Sequence, residues 1–297
     1  MKLARIGIIG GSGLADALVG EVEGQEVSVD TPFGPPSGPL LLTKWQGVQI
    51  ALLSRHGPGH LLNPSAVPYR ANIYALKKLG VTHILASGAT GSLREEIQPR
   101  HLVICDQVID KTYKRMGTFF DQGLAVHVEF AEPFCPKLRA LLIEASKRAG
   151  VTVHPRGTYV CMEGPQFSTV AESQMHRAWG GDLIGMTVMP EAKLAREAEI
   201  SYALVALPTD YDCWRPHEPG KDRKALLDEI IGNLKAVTDN GIKLLRAAVP
   251  VLAERLGESW PCADALALAI WSDKSKVDRQ VVKKLELLVG RYFGGGF

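Results

Sequence analysis

The stretch ARIGIIGGSGLAD, residues 4–16, places an apolar run directly before the turn Gly10-Gly11-Ser12-Gly13. A β-type run that ends in glycines is how many phosphate-binding sites begin, because the backbone N–H groups there can approach an anion closely. A dinucleotide site needs G-x-G-x-x-G, but counting from Gly11 the third position is Asp16. A triphosphate loop needs G-K-[ST], which does not follow. The turn, with the Ser12 hydroxyl, leaves two interpretations, a site for a single phosphate or a strand-to-helix turn without a ligand.

Two further strand ends carry groups that suit an anion. Arg55 and His56 follow the predicted strand Val48–Ser54, and the predicted strand His83–Ser87 runs into small residues up to Ser92. Arginine binds phosphate through two parallel hydrogen bonds, and ligands of α/β proteins lie at the carboxyl ends of strands. Three such ends in one chain favour one shared anion site over three unrelated loops.

The composition is that of an ordinary globular enzyme, with 297 residues, 46% hydrophobic and 22% charged residues and a net charge of +2. This charge gives no reason to expect a nucleic acid or an anionic membrane as partner. The five cysteines form no C-x-x-C pair, which favours a reducing compartment. Glycines interrupt the N-terminal apolar run where a signal peptide would continue, and no run approaches the length of a membrane span. We therefore expect a cytoplasmic location.

Strand-like runs alternate with helical patterns, which predicts an α/β fold around a central sheet. WQGVQI, residues 45–50, indicates a hairpin, and residues 136–149 show helical spacing between Pro136 and Gly150. The predicted strands are Arg5–Ile9, Leu40–Thr43, Val48–Ser54, His83–Ser87, Leu102–Asp106, Thr158–Met162 and Ser201–Leu207. We expect one catalytic domain over residues 1–250 and, over 251–297, a C-terminal segment with one charged amphipathic helix and a flexible end that packs on the same domain.

Several motifs occur in an order and spacing that resemble the trimeric purine nucleoside phosphorylase family. The most specific are GSLREEIQP, residues 91–99, and TDYDCW, residues 209–214. The others are GIIGGSGL, TPFGPPS, RHGPGH, AEPFCP and EGPQFST followed by AES. The match covers roughly residues 4–272 and is strongest with the branch of the family that cleaves S-methyl-5′-thioadenosine.

The resemblance implies a single α/β domain with a mixed, partly barrel-like sheet flanked by helices, and a homotrimer with active sites near the subunit interfaces. It also implies phosphorolysis, in which inorganic phosphate replaces a purine at the anomeric carbon. The products expected from S-methyl-5′-thioadenosine are adenine and 5-methylthioribose 1-phosphate. The resemblance implies phosphate as co-substrate and neither a metal nor an organic cofactor.

The resemblance also implies the residues of the phosphate site, which are Ser12, Arg55, His56, the backbone N–H of Ala89, and Thr187. They agree with the three strand ends described above. One departure is that the family often has threonine where Gly88 stands, so a hydroxyl that would face phosphate is missing. The outcome is either weaker phosphate binding or compensation by the hydroxyl of Ser87 or Thr90.

Cleavage of a purine nucleoside places negative charge on the leaving base, which needs a proton at N7. Asp210 and Asp212 are two residues apart, so in an extended segment their side chains point the same way. Repulsion between close carboxyls, and burial, raise a pKa and can keep one group protonated near neutral pH. We expect Asp210 to protonate N7 and Asp212 to help read the 6-amino group. The alternative is a capping or turn role for both.

The same aspartates predict the purine. Carboxylate oxygens accept hydrogen bonds from a 6-amino group, whereas a 6-oxo group would place an acceptor against them. Family enzymes for guanosine or inosine carry asparagine at the first position, so Asp210 favours adenine. A broader adenosine or 5′-deoxyadenosine phosphorylase, a 6-oxopurine phosphorylase and a non-catalytic nucleoside sensor remain as alternatives.

The resemblance implies the remaining contacts of the nucleoside. Phe167 would stack on the base or ribose, Ser168 would lie beside the base, and the N–H of Met186 would bind a ribose hydroxyl. If the preceding loop is about four residues longer than in the family, the apolar methylthio pocket comprises Ala225, Leu227, Ile230 and Ile231, with His127 from the neighbouring subunit. The four helical residues also fit an ordinary core. His56 and His60 would suit a metal, but no Cys or carboxylate completes a ligand set nearby.

Overall fold

A computed structural model describes residues 5–11, 13–215 and 222–294. The strands are β1 Ile6–Gly10, β2 Gly24–Val27, β3 Leu40–Trp45, β4 Val48–Ser54, β5 His83–Ser92, β6 Leu102–Ile104, β7 Gln107–Lys111, β8 Val153–His154, β9 Thr158–Met162, β10 Leu183–Gly185 and β11 Ser201–Asp210. The helices are α1 Leu14–Glu21, α2 Tyr69–Lys78, α3 Pro136–Ala149, α4 Val170–Ala178, α5 Val188–Glu197, α6 Arg223–Glu254, α7 Arg279–Lys284 and α8 Glu286–Val289. No helix in these ranges is long and apolar enough to cross a membrane.

The strands form one mixed sheet that branches at β5. The main order is β2-β3-β4-β1-β5-β10-β9-β7, and β11 also pairs with β5. β1 runs parallel to β4 and β5, and β11 runs parallel to β5, whereas β10 is antiparallel to β5. From β11 the sheet continues through β6 to β8. Parallel and antiparallel pairs therefore occur in one sheet, with helices between the strands, which agrees with the predicted α/β fold with a mixed sheet.

Helices cover both faces of this sheet. Helices α1, α3 and α6 bury apolar side chains with β1 and β4 in one core cluster. Helices α2 and α5 pack with β5 and β11 in the other. A strand buried on both faces reads as a continuous apolar run, which is why β1 was visible in the sequence.

Local signals predicted the β3–β4 hairpin and helix α3 correctly. The hairpin β3–β4 turns at Gln46 and Gly47, whose φ angles of 50° and 79° suit a tight two-residue turn. Helix α3 begins at Pro136 and ends before Gly150, which is left-handed at φ 64°. Each boundary depends on a residue whose backbone preference is intrinsic, so no distant contact was needed to find it.

The C-terminal segment differs from the single amphipathic helix that its charge pattern predicted. It forms two short helices, α7 and α8, because Leu285 leaves helical geometry at φ −103° and ψ 15°. Residues 295–297, the predicted flexible end, lie outside the described residues. Helix α6 crosses the predicted boundary at residue 250, and Trp260 and Cys262 pack in the same core cluster as β1.

The parallel strands bring their carboxyl ends to one edge of the sheet. Gly10 on β1 pairs with Ser54 on β4, and β11 pairs with β5 up to Asp210 opposite Gly91. The glycine turn, Arg55 and the β5 end predicted from sequence therefore lie at the same edge. This is where α/β folds bind ligands.

Candidate active site

A cavity of about 700 Å³ opens at this edge of the sheet. Most of the residues expected from sequence line this cavity, and Gly11 of the glycine turn also lies in its wall. The expected residues in its wall are Arg55, His56, Gly88, Ala89, Phe167, Ser168, Met186, Thr187, Asp210, Asp212 and Ile230. Ser12 lies outside the described residues. His127, Ala225, Leu227 and Ile231 do not line the cavity.

The glycines before α1 are explained by close packing. A Cβ atom at Gly11 would lie 2.9 Å from Nη1 of Arg55, and one at Gly10 would lie 2.5 Å from the backbone nitrogen of Ala15. The carbonyl of Gly10 accepts a 3.0 Å hydrogen bond from the N–H of Arg55. The absence of side chains therefore lets β1 and the segment after β4 approach each other, and this places Arg55 at the cavity.

Arg55 is completely buried and is paired with Glu191, a residue that the sequence analysis missed. Its Nε donates to Oε2 of Glu191 at 2.7 Å and its Nη2 donates to Oε1 at 2.8 Å, while Nη1 donates to the carbonyl of Ser87 at 2.7 Å. Burial lowers the pKa of Arg55, but the charge and hydrogen bonds of Glu191 outweigh it and raise the pKa above its ordinary value. Glu191 lies in the first turn of α5, where an acidic residue is already expected from the helix dipole. No sequence signal therefore marked it.

His56 enters the site as a neutral ring. Its Nδ1 lies 2.7 Å from the carbonyl of Leu62, so Nδ1 carries the proton and donates it. Burial, and next the charge of Arg55, lower the pKa of His56 to about 4. The ring stacks on His60 at a centroid distance of 4.2 Å. Within the described ranges, no group of three His, Cys, Asp or Glu side chains is arranged to hold a metal.

Thr187 and Gly88, two residues expected at the phosphate site, are neighbours in the cavity wall. A Cβ atom at Gly88 would lie 3.4 Å from Oγ1 of Thr187, so the position has room for a side chain. Thr187 precedes helix α5, and its side chain makes no capping hydrogen bond. Met189 departs from helical geometry two residues later, so the Thr187 hydroxyl, rather than a helix dipole, is the group here that can donate to an anion.

Asp210 and Asp212 both line the cavity, but not in the extended geometry that their spacing predicted. Strand β11 ends at Asp210, and Asp212 begins a 3₁₀ turn with φ 50°. Oδ1 of Asp210 accepts from the Thr209 hydroxyl at 2.7 Å, and Oδ2 accepts from the N–H of Asp212 at 2.9 Å. The two residues are therefore joined through a backbone N–H rather than aligned along a strand.

Asp212 is held by a second missed residue, Ser173 on α4. The Ser173 hydroxyl donates to Oδ2 of Asp212 at 2.5 Å, and Ser173 is fully buried. Burial raises the pKa of Asp212, while the Ser173 hydrogen bond opposes that rise. Burial, which was expected together with repulsion between the aspartates, is thus the largest cause of the raised pKa. Ser173 belongs to the AES part of the recognised motif, which was the only available signal for it.

Phe167 and Ser168 follow β9 at the cavity rim. The Phe167 side chain is 82% exposed, so a face of the ring is free to stack on a ligand. The carbonyl of Ser168 accepts from Sγ of Cys213 at 3.3 Å, which ties this rim to the turn that carries Asp212.

Helix α6 turns a different stripe to the cavity than the one predicted. Its lining residues are Leu226, Glu229, Ile230, Asn233 and Leu234. These positions repeat every three or four residues, as one face of a helix must. Leu227 and Ile231 are 56% and 54% exposed on other faces, and Ala225 is also exposed. The prediction assumed an offset for the preceding loop, of which residues 216–221 lie outside the described residues.

His127 lies on the surface, remote from the cavity wall of its own chain. Its N–H donates to the carbonyl of Ala269 at 2.9 Å, and its ring contacts that of Trp271 at 5.0 Å. Trp271 is itself 73% exposed. Within one chain, His127 and the α6 stripe do not meet.

Comparison with known proteins extends this picture. The family model of the phosphorylase superfamily matches residues 5–250. The S-methyl-5′-thioadenosine phosphorylase of Koribacter versatilis is 47% identical to this chain, and the match covers 98% of this chain and 97% of the relative. The S-methyl-5′-thioadenosine phosphorylase of Geobacter sulfurreducens is 48% identical, and the match covers 97% of this chain and 98% of the relative.

Solved structures agree with these matches. A methylthioadenosine phosphorylase from an antarctic soil metagenomic library superposes with a TM-score of 0.89 at 43% identity, covering 97% of this chain and 99% of its own. The methylthioadenosine phosphorylase of Schistosoma mansoni in complex with adenine reaches a TM-score of 0.79 at 34% identity, covering 97% and 98%. With the fold, the cavity and the matched motifs in agreement, this chain belongs to the phosphorylase superfamily.

Proposed function

We propose that this protein cleaves S-methyl-5′-thioadenosine with inorganic phosphate, giving adenine and 5-methylthioribose 1-phosphate. The observation that carries this proposal is the order of groups along β5. Gly88 faces Thr187 at the anion end, and a Cβ atom at Gly91 would lie 3.1 Å from Cβ of Asp212. Three residues of strand span about 10 Å. One cavity therefore offers an anion site and a carboxyl site at the separation that a nucleoside bridges.

In this reaction a phosphate oxygen forms the new bond to the anomeric carbon as the bond to purine N9 breaks. The electron pair of that bond passes to the purine, and Asp210 supplies the proton that N7 takes up. Arg55, His56, Thr187 and the N–H of Ala89 orient the phosphate. Proton transfer by a positioned side chain contributes roughly 10²–10⁴-fold to such a rate.

Adenine is the base that this site suits. Oxygens of Asp210 and Asp212 accept hydrogen bonds from a 6-amino group, and the N–H of Asp212 holds Oδ2 of Asp210 in place. A 6-oxo purine would put its oxygen against these acceptors and leave buried polar atoms unpaired. In this proposal Phe167 and Ser168 lie against the base, and the backbone N–H of Met186 donates to a ribose hydroxyl.

The 5′ group lies against helix α6 in this proposal. Leu226, Ile230 and Leu234 form the apolar part of the stripe in the cavity wall, and they replace the set predicted from sequence apart from Ile230. A methylthio group gains from apolar contact, by about 0.8 kcal/mol for each buried CH₂ equivalent.

We further propose a homotrimer in the cytoplasm, in which His127 of one chain reaches the neighbouring site. The exposure of His127 and Trp271 supports a contact with another chain, because large exposed apolar side chains are typical of interfaces. All five cysteines are free, which is compatible with a reducing compartment. Phosphate is the co-substrate, and the reaction needs neither a metal nor an organic cofactor.

A broader adenosine phosphorylase is the second candidate. Glu229 lies in the cavity wall between Leu226 and Ile230, where its carboxylate suits the 5′-hydroxyl of adenosine. A Schistosoma mansoni relative, 34% identical, is described as an adenosine/methylthioadenosine phosphorylase.

The test is a panel of nucleosides with and without phosphate, with the released base quantified by chromatography. We expect adenine from S-methyl-5′-thioadenosine only when phosphate is present, and little base from inosine or guanosine. The ratio of kcat/KM for S-methyl-5′-thioadenosine and adenosine distinguishes the two candidates. Faster turnover of inosine would replace both with a 6-oxopurine phosphorylase, and binding without turnover would indicate a sensor.

A further inference from the structure

Arg115 and Glu163 form a buried ion pair directly behind the cavity wall. Arg115 lies shortly after β7, and Glu163 follows β9; their side chains are 1% and 4% exposed. Nε of Arg115 donates to Oε1 of Glu163 at 3.2 Å. Arg115 does not line the main cavity, so it acts on a ligand only through the residues that it holds.

The guanidinium binds three backbone carbonyls in addition to the carboxylate. Its Nη1 donates to the carbonyls of Met186 and Met189 at 2.5 and 2.6 Å, and its Nη2 donates to the carbonyl of Glu163 at 2.6 Å. Hydrogen bonds from a charged donor are short and strong, and the rigid fork of arginine fixes the relative positions of its acceptors.

Those carbonyls flank the anion end of the site. Met186 and Thr187 line the cavity, and Glu191, which holds Arg55, lies on the same segment. The segment cannot hold itself in place by helical hydrogen bonds. Met189 departs from helical geometry at φ −108° and ψ 134°, and Pro190 has no N–H to donate. The backbone carbonyls of this segment therefore need a hydrogen-bond donor from elsewhere in the fold, and Arg115 supplies it.

We propose that Arg115 is a positioning residue for the phosphate and ribose subsites, because it clamps the carbonyls on both sides of Thr187 and ties them to Glu163 at the start of the Phe167 rim. This inference rests on the proposed phosphorolysis.

The effect is geometric rather than electrostatic. Burial raises the pKa of Glu163, but hydrogen bonds from Ser65 and from the N–H groups of Tyr113 and Lys114, with the charge of Arg115, hold it well below its usual range. Glu163 is therefore ionised at neutral pH. The pair carries no net charge, so Arg115 does not attract phosphate as a free cation would.

The variant Arg115→Lys tests the clamp while keeping the charge balance with Glu163. An ammonium group is a point donor and cannot hold three carbonyls and a carboxylate in the planar arrangement of arginine. We expect kcat/KM for phosphate to fall by about 10- to 100-fold, the scale of a misplacement near 1 Å. We expect KM for phosphate to rise by a larger factor than KM for the nucleoside, because both clamped carbonyls flank Thr187.

The matched control is Arg139→Lys. Arg139 on α3 also donates to backbone carbonyls, those of Cys105 and Pro155 at 2.7 and 2.8 Å, but it lies outside the cavity wall. We expect wild-type kinetics for this variant. The double variant Arg115→Met/Glu163→Gln removes both charges and so avoids an unpaired buried ion. If Arg115→Lys fails to fold, the double variant provides the same comparison, with near-ultraviolet circular dichroism as the measure of folded protein.

Calorimetric titration with inorganic phosphate gives a readout independent of turnover. Weaker phosphate binding by folded Arg115→Lys supports the inference. Wild-type kcat and KM for phosphate, or an activity loss that matches only the loss of folded protein, would overturn it. If the wild-type protein itself releases no adenine from S-methyl-5′-thioadenosine with phosphate, the proposed function fails, and the titrations alone decide the role of Arg115.

Discussion

The guanidinium of Arg55 and the carboxylate of Glu191 form a two-pronged ion pair, with Nε–Oε2 at 2.7 Å and Nη2–Oε1 at 2.8 Å, and both residues are completely buried. The Tyr202 hydroxyl also donates to Oε1 of Glu191 at 2.7 Å. Arg55 is therefore held in one orientation in the cavity wall. Glu191 balances its charge, so we expect the orientation of the Arg55 guanidinium to contribute to the proposed phosphate binding as much as its charge does.

Removing the negative partner tests this relationship. Glu191→Gln leaves the buried Arg55 charge uncompensated, and breaking such a pair costs roughly 3–5 kcal/mol of unfolding free energy. Phosphate then becomes the counter-ion of Arg55, so we expect a larger rise of Tm on adding phosphate than in the wild type. Glu21→Gln, which breaks the half-exposed pair with Arg246, is the control and should change stability by less than about 1 kcal/mol. Equal phosphate-induced shifts in Glu191→Gln and wild type would contradict the argument.

Asp210 is tested by a substitution that keeps its shape. In the proposed mechanism Asp210→Asn removes the acid that protonates N7, so we expect kcat for adenine release to fall by about 10²–10⁴-fold. Asp239→Asn, at an exposed position on α6, should leave the rate unchanged. A rate for Asp210→Asn within a few-fold of the wild type would remove Asp210 from the mechanism.

The Ser173 hydroxyl favours the ionised form of Asp212, and in our proposal Asp212 accepts from the 6-amino group only when it is ionised. Ser173→Ala removes a hydrogen bond that favours the charged carboxylate, so the pKa of Asp212 rises further. Activity is lost as pH falls through this pKa, and a higher pKa moves the acidic limb of the kcat/KM profile to higher pH. Ser146→Ala, which removes another buried hydroxyl within a helix, should leave the profile in place. An unshifted limb in Ser173→Ala would show that Asp212 does not control it.

Gly88 offers a test by gain of function. Gly88→Ser adds a hydroxyl that faces Thr187, in a position where a Cβ atom keeps an ordinary 3.4 Å contact. A hydrogen bond to a charged group contributes about 1.5–3 kcal/mol, so we expect KM for phosphate to fall by about tenfold or more. Gly88→Ala adds the Cβ atom without the hydroxyl and should not lower KM. If both variants behave alike, the hydroxyl does not reach phosphate.

Subunit mixing tests the role of His127. We expect His127→Ala to raise KM for S-methyl-5′-thioadenosine, and light scattering to report the mass of three chains. When His127→Ala and Asp210→Asn chains are co-expressed, a site that takes Asp210 from one chain and His127 from the other is intact, so activity should exceed that of either variant alone. Mixed oligomers with no such gain would place His127 outside the site.

The sequence by itself predicted the glycine turn and seven of the eleven strands that the described residues form, and most of the site residues that it predicted do line the cavity. Apolar periodicity, turn residues and helix ends are local properties, and parallel strands bring their carboxyl ends together whatever the details of packing. This is why the glycine turn, Arg55 and the end of β5 could be assigned to one site although they are far apart in the chain, whereas the roles of Thr187 and Asp210 came from the family resemblance.

Only the tertiary structure decided which partner each charged group takes and which stripe of α6 faces the cavity. Glu191 is 136 residues from Arg55, and no pattern connects them. Helical spacing predicted an apolar stripe on α6. Which side of the helix faces the cavity depends on how α6 packs on the sheet, and in this fold Leu226 rather than Leu227 lines the cavity. Asp212 adopts a positive φ, and its side chain accepts a hydrogen bond from Ser173 on α4, which no local pattern predicted. Arg115 acquires its role because folding brings three carbonyls within reach of one guanidinium. The partners of the charged groups and the face of α6 that lines the cavity depend on packing between distant segments. The helices and strands themselves depend on neighbours in the chain.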